Sequence, residues 1–295
     1  MNHYFAPLPL NHTRMSLQLN DVLEDSLLPE LPELKVIAEK LSTLLKGETI
    51  IQASVNNPLP IHGTTVDEFK ETLQGKIIDG FEADGKFLLI KFRDDFEIII
   101  NPMLTGRFSV RGAGGRPSAS DIFRLRFKTN SLWYSDRKKM GRVYLVSGHD
   151  YTDVAEFTNR GPSALSPDLT LKEFSRLLQR RRGEIKNILR NQRFVKGIGN
   201  AYADEILLYA GILPFRKRST LTPEEIERLF HSMRSILTKF MDVLRERTLP
   251  EITLENRDFL MIHGKKDGVC PLCGGRVSEI TANRFKTNFC QTCQK

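Results

Sequence analysis

The sequence predicts an α+β chain in three parts: a mostly β N-terminal half with one helix in front, an all-helical middle, and a small cysteine-bearing hairpin at the end. Three observations carry that reading. Short apolar runs broken by turn residues fill positions 47–150. Helical patterns take over beyond Gly161–Pro167, a segment of Gly, Pro and Ser. All four cysteines fall in the last 26 residues. The expected divisions are a tail over 1–28, a β-rich domain over 29–155, a helical domain over 165–248 and a finger over 255–295.

Composition limits the classes of function. With 40% hydrophobic and 27% charged residues, this is the composition of an ordinary globular protein. A net charge of +8 points to an anionic partner, nucleic acid or an anionic membrane surface. No apolar run approaches the roughly 18 residues of a membrane span. Residues 1–28 lack the basic and apolar regions of a secretory signal and are expected to be weakly ordered.

The elements follow in order. Leu28-Pro29-Glu30-Leu31-Pro32-Glu33-Leu34 reads as a helix start, because Pro is tolerated where its missing N–H has no partner anyway and acids suit that end of the macrodipole. Leu34, Ile37, Ala38, Leu41 and Leu45 continue the helix, and Gly47 ends it. Lys76–Phe92 and Phe96–Ile100 read as strands, interrupted by Asp84-Gly85 and Asp94-Asp95. Phe123, Leu125 and Phe127 alternate with Arg124, Arg126 and Lys128, a half-buried strand with a basic outer face, and Ser131–Ser135 and Arg142–Val146 are further strands. Arg111–Ser120 is expected to be a mobile loop. Beyond the linker, helices are expected over Leu171–Arg181, with Thr170 and Glu173 spaced as a capping box, through Glu184–Leu189, over Asn200–Ala210 up to Gly211, and onward from Thr222. Between Lys172 and Arg218 twelve Lys/Arg face four Asp/Glu, which makes this the basic part of the chain.

Two constellations carry chemistry. Cys270-x2-Cys273-x16-Cys290-x2-Cys293 fits tetrahedral thiolate coordination of one structural Zn2+ with no open position. That pairing argues for a reducing compartment rather than a disulfide framework. The second is Gly197-Ile198-Gly199-Asn200, a tight turn opening a helix whose N–H groups are expected to point outward as a phosphate site.

Taken together, Pro-Glu-Leu-Pro-Glu, Gly-Ile-Gly-Asn-Ala-Tyr-Ala-Asp-Glu and the four-cysteine finger ending Phe-Cys-Gln-Thr-Cys-Gln resemble the formamidopyrimidine-DNA glycosylase and endonuclease VIII family, over Pro29–Lys295. The resemblance implies a β-sandwich domain, a helix–two-turn–helix domain and a zinc finger. It implies a monomeric bacterial enzyme, cytoplasmic and nucleoid-associated, that binds damaged double-stranded DNA, flips the base out and cuts the strand by β- and δ-elimination. Pro29 is then the nucleophile and Glu30 the acid and base; Glu33 organises the site, and Lys86 lies near the damaged nucleotide's phosphate. Lys186 and Asn200 match the phosphate-gripping pair. Leu104 stands for the methionine wedge, and Lys138 and Met140 for the intercalating arginine and phenylalanine. Where the family carries an arginine in the finger, this chain has Phe285, so Arg284 or Lys286 is expected to take over. As numbered, Pro29 is acylated by Leu28, and an amide nitrogen cannot attack C1′. The chemistry therefore expects removal of residues 1–28 or translation starting at position 28. The alternative is a non-catalytic damage-sensing homologue with the proline blocked.

Overall fold

The computed structural model describes residues 28–249, 252, 257–282 and 285–295, so the expected tail, Leu28 excepted, and Arg284 lie outside the described residues. Helix α1 (Leu31–Leu45) has proline in its first turn and Glu33 beside it, and it ends where Lys46 donates its N–H to the Ser42 carbonyl at 3.0 Å. Gly47 follows at φ +86°, a left-handed conformation that glycine adopts without steric cost.

Two sheets follow. Strands β1 (Gln52–Val55), β7 (Asp121–Arg126), β8 (Asn130–Asp136) and β6 (Gly106–Gly112) form one, in the order β1-β7-β8-β6. Strands β2 (Ile61–His62), β9 (Arg142–Ser147), β5 (Phe96–Asn101), β4 (Phe87–Phe92) and β3 (Ile78–Asp84) form the other, in the order β2-β9-β5-β4-β3. Inward side chains alternate as the period of two requires: Phe123, Leu125 and Tyr134 from the first sheet pack against Leu88, Ile90, Ile98 and Ile100 from the second. The five-stranded sheet is covered on its far face too, where Phe87, Leu89, Ile99 and Tyr144 meet Val154 and Phe157. Burial on both faces explains why β4 reads as a continuous apolar run.

Two features of this half depart from the sequence reading. Helix α2 (Val66–Leu73) was not expected; Thr65 accepts the Glu68 N–H at 3.2 Å, and Phe69 and Leu73 enter the core. Eight residues with two inward positions are too few for periodicity to register. The loop expected to be mobile is held: Arg111 donates a fork to Asp121 at 3.0 and 3.1 Å, and Ser118 N–H reaches the same carboxylate at 2.7 Å.

Beyond the linker come α3 (Leu171–Gln179), α4 (Ile185–Arg190), α5 (Asn200–Ala210) and α6 (Pro223–Arg245). Thr222 and Glu225 form a reciprocal capping box at α6. At α3 only half of the expected box exists. Thr170 caps the Glu173 N–H, but the Glu173 carboxylate turns to Arg176 at 2.6 Å, and the Thr170 N–H goes to Asp168. Phe174, Phe194, Tyr202, Ile206, Leu237 and Phe240 form the helical core. Helix α1 joins the halves. Its Leu34, Ile37 and Leu41 lie in the sandwich core, which also takes Met241 and Leu244 of α6, while Leu31 is buried among the helices. Finally, β10 (Ser278–Ala282) and β11 (Phe285–Phe289) make the expected antiparallel hairpin.

Candidate active site and DNA interface

The Pro-Glu-Leu-Pro-Glu stretch lies where the two halves touch. Leu31 N–H donates to the Gly197 carbonyl at 3.0 Å, and a Cβ on Gly197 would sit 2.6 Å from the Leu31 side chain. A Cβ on Gly199 would sit 2.5 Å from Glu30 Cδ. Both glycines are therefore demanded by close approach of this stretch. Gln192 shapes the turn, accepting the Gly197 N–H and donating to the Ile198 carbonyl, each at 2.8 Å.

Glu30 is fully buried. Its carboxylate accepts the N–H of Gly199 and, at 3.0 Å, that of Ala201. This overturns one expectation: the N-terminus of α5 does not point outward at a phosphate. Its anion is the Glu30 side chain, which meets the same backbone donors and dipole that a phosphate would. Glu33, buried beside it, accepts the Glu30 N–H at 3.1 Å, the Tyr202 hydroxyl at 3.0 Å and Arg257 Nη2 at 2.9 Å. Burial pushes the Glu33 carboxyl above its ordinary range, and the Arg257 charge opposes that push. Burial likewise holds the Tyr202 phenol well above its usual value. Arg257 Nη1 stands 3.8 Å from Glu30, and Nη2 also donates to the Leu28 carbonyl. Nothing in the sequence marked Arg257, an isolated arginine outside every motif.

Lys86 caps the β3–β4 hairpin and lines a cavity of about 230 Å³ together with Asn101, Arg160, Asn191, Gln192 and Arg193. The hairpin is clamped across the domain boundary: Asp84 pairs with Arg160 at 2.6 Å and with Lys196. The wedge candidates sit on two neighbouring loops. Leu104 is on the β5–β6 loop; Lys138 and Met140, both exposed, are on the β8–β9 loop. Buried Asp136 latches these loops together, accepting the Thr105 hydroxyl, Lys138 N–H at 3.1 Å and Gly141 N–H at 2.6 Å.

Lys186 and Asn200 are placed otherwise than expected of phosphate grips. Lys186 is 3% exposed, and its ammonium donates to the Lys286 carbonyl at 3.0 Å and the Thr287 hydroxyl at 2.9 Å and pairs with Asp204 at 2.6 Å. Asn200 Nδ2 donates to the same Lys286 carbonyl at 2.9 Å. With its ammonium turned to these partners, Lys186 joins Asn200 in tying the finger to the helices. Asp204 and Glu205, which the sequence reading assigned no role, complete that tie. Asp204 binds His263 at 2.8 Å and Asn288 N–H at 3.1 Å. Glu205 accepts three backbone N–H groups, of Met261, Ile262 and His263, at 2.9–3.0 Å.

The four cysteine sulfurs lie within 4.8 Å of one another, with Cys270–Cys293 at 3.8 Å and Cys273–Cys290 at 3.5 Å. A tetrahedron with metal–sulfur bonds of about 2.3 Å has edges of about 3.8 Å, so the donor set fits a metal ion. On the hairpin, the Arg190 guanidinium lies over the Phe285 ring, 3.5 Å from its centroid, while Lys286 reaches Glu279 at 3.6 Å. Among the described residues no helix is long and apolar enough to cross a membrane.

The fold and site define a class: a β-sandwich and a helical domain meeting at a half-buried proline beside a buried glutamate, with a four-thiolate finger docked on the helices. The Formamidopyrimidine-DNA glycosylase N-terminal domain model matches residues 28–143, and the Formamidopyrimidine-DNA glycosylase H2TH domain model matches 160–248. The chain belongs to the formamidopyrimidine-DNA glycosylase family. It is 31% identical to the formamidopyrimidine-DNA glycosylase of Pelotomaculum thermopropionicum over 276 residues, 91% of this chain and 99% of the relative. The Thermus thermophilus enzyme is 29% identical over 275 residues, 90% of this chain and 98% of the relative. Among solved structures, Lactococcus lactis Fpg in complex with abasic-site DNA has a TM-score of 0.82 at 28% identity, covering 90% of this chain and 99% of that one. The same enzyme with DNA containing an oxidised pyrimidine also scores 0.82 at 28% identity, with 90% and 100% covered.

Proposed function

We propose that this chain is a base-excision-repair DNA glycosylase with abasic-site lyase activity, acting on damaged duplex DNA through the Pro29 nitrogen. The observation that carries the reading is the junction itself. Pro29 sits half-buried beside a Glu30 carboxylate fixed by backbone donors of the opposite domain. A secondary amine forms a cationic iminium directly on attack at C1′, and the neighbouring carboxyl moves the protons that ring opening and elimination require. Lys86 then faces the damaged nucleotide's phosphate across its cavity. Leu104, Lys138 and Met140 fill the gap left by the flipped base; Leu and Met serve as apolar wedges, while Lys138 offers charge without the stacking plane of arginine. The cysteines hold one structural Zn2+. The chain is read as a monomer working on bacterial nucleoid DNA, its net charge of +8 suited to that polyanion.

The test is borohydride trapping on abasic duplex. A chain whose first residue is Pro29 is expected to crosslink, and the same chain carrying an acylated Pro29 is not. If the Pro29-first chain, assayed also against 8-oxoguanine, formamidopyrimidine and oxidised-pyrimidine duplexes, neither crosslinks nor releases a base, the reading is refuted.

Phe285 supplies a second expectation. With Arg190 stacked on its ring, a guanidinium lies beside position 285, where the family resemblance expects an arginine. Arg190→Ala is expected to weaken duplex binding roughly tenfold and to lower the salt slope by about one unit, as loss of one phosphate contact does. Titrations at two salt concentrations check this; an unchanged slope removes Arg190 from the interface.

A further inference from the structure

Arg257 holds the Leu28 carbonyl, and that contact has a chemical meaning. In the structure the Pro29 nitrogen is bonded to a planar carbon that bears an oxygen, the Leu28 acyl group. In the reaction proposed above, on which this inference rests, the same nitrogen is bonded to sugar C1′, which bears the ring oxygen O4′. The acyl carbon therefore stands in for C1′, and the acyl oxygen for O4′. Arg257 Nη2 donates to that oxygen while pairing with Glu33 at 2.9 Å, and Nη1 is buried with no acceptor among the described residues, 3.8 Å from Glu30. Nη2 is thus shared between Glu33, itself held by the Tyr202 hydroxyl, and the oxygen on the carbon bonded to the Pro29 nitrogen, while Nη1 lies toward Glu30.

We propose that Arg257 is a catalytic residue for sugar-ring opening, donating hydrogen bonds to O4′ as it leaves C1′. The step balances as follows. The Pro29 nitrogen has already bonded to C1′, the base has left with its bonding pair, and the nitrogen has lost its proton. The nitrogen lone pair then forms the iminium double bond, the C1′–O4′ bond breaks with its electrons on O4′, and Glu30 gives O4′ a proton. Negative charge builds on O4′ before that proton arrives fully, and a guanidinium already in place stabilises it without reorganisation. Arginine suits the position because its rigid fork binds Glu33 and the sugar oxygen at once, which a lysine ammonium on a flexible stem does not.

The experiment compares two substrates in single-turnover reactions of the Pro29-first chain. A formamidopyrimidine-guanine duplex needs enzyme-driven ring opening, whereas an abasic duplex reaches the iminium from its own ring-opened aldehyde. Arg257→Gln is expected to lower the ratio of the excision rate to the trapping rate roughly 100–1,000-fold, the size of effect seen when one donor to a developing oxyanion is removed. Arg257→Lys, which keeps the charge beside Glu33, is expected to restore part of that ratio and serves if the Gln variant does not fold. Equal losses on both substrates in both variants, or unchanged excision, overturn the assignment by making Arg257 a purely structural partner of Glu33. Failure of the unsubstituted Pro29-first chain on both substrates would instead overturn the proposed function, and this role with it.

Discussion

Glu30→Gln in a chain beginning at Pro29 is expected to lose base excision by about three orders of magnitude, within the range for removing a positioned proton donor. The structure adds a second effect. Both Glu30 carboxylate oxygens accept backbone N–H groups at the start of α5. Gln keeps one acceptor and presents an NH2 group to the other backbone donor, leaving that donor unsatisfied at a cost of about 1–3 kcal/mol. The variant should therefore melt at a lower temperature while still binding abasic duplex within about threefold of the parent, since the carboxylate points into the protein rather than at a phosphate. Single-turnover release of base and a melting curve measure the two effects separately. Retained excision in a folded Glu30→Gln protein would remove Glu30 from the chemistry.

Metal removal is expected to have the other large effect, and to reach beyond the finger. Cys270, Cys290 and Cys293 pack with Val277, Ile262 and Leu208 in a cluster too small to persist by apolar burial alone. Loss of the ion releases the hairpin, and with it the Lys286 carbonyl, the Thr287 hydroxyl and the Asn288 N–H. Lys186 and Asp204 keep each other but lose their hairpin hydrogen-bond partners in a buried site, at about 1–3 kcal/mol for each group left unsatisfied. Chelation should accordingly lower the melting temperature of the helical domain as well as unfold the finger, and weaken duplex binding roughly 100-fold. That binding loss is about 2.8 kcal/mol at 1.4 kcal/mol per factor of ten, the change expected when the hairpin and the Arg190 guanidinium stacked on its Phe285 are no longer held in place. One zinc per chain released by a thiol-reactive reagent would fix the stoichiometry; normal duplex binding after chelation would show that the finger is not part of the grip.

Much of this was legible because local chemistry speaks through local spacing. The Thr222–Glu225 box, the alternation at Phe123–Phe127 and the four-cysteine spacing each state their own geometry, and the structure carries all three. Helix α2 escaped because two inward residues make no period, although Thr65 and Glu68 were spaced for a cap. The site was legible in its residue types but not in its partners. Glu30 and Gly199 are 169 positions apart, so no window joins the carboxylate to the helix end it occupies. The same separation hid the partners of Lys186 and Asn200: a basic flank beside a glycine turn reads as a phosphate grip, and only the folded chain brings the Lys286 carbonyl, 100 positions from Lys186, onto both side chains. Arg257 had no spacing to read at all. Its meaning comes only from what surrounds it.

The Asp136 latch has a consequence for how this protein can evolve. Its donors are one threonine hydroxyl and two backbone amides, contacts that do not depend on which side chain stands at positions 104, 138 or 140. Frame and tips are therefore separable. Exchanges at positions 104, 138 and 140 are expected to change what the two loops present without reshaping the loops themselves. Under the proposed function, the surface offered to a damaged duplex can then vary by single substitutions while the Asp136 frame stays as it is.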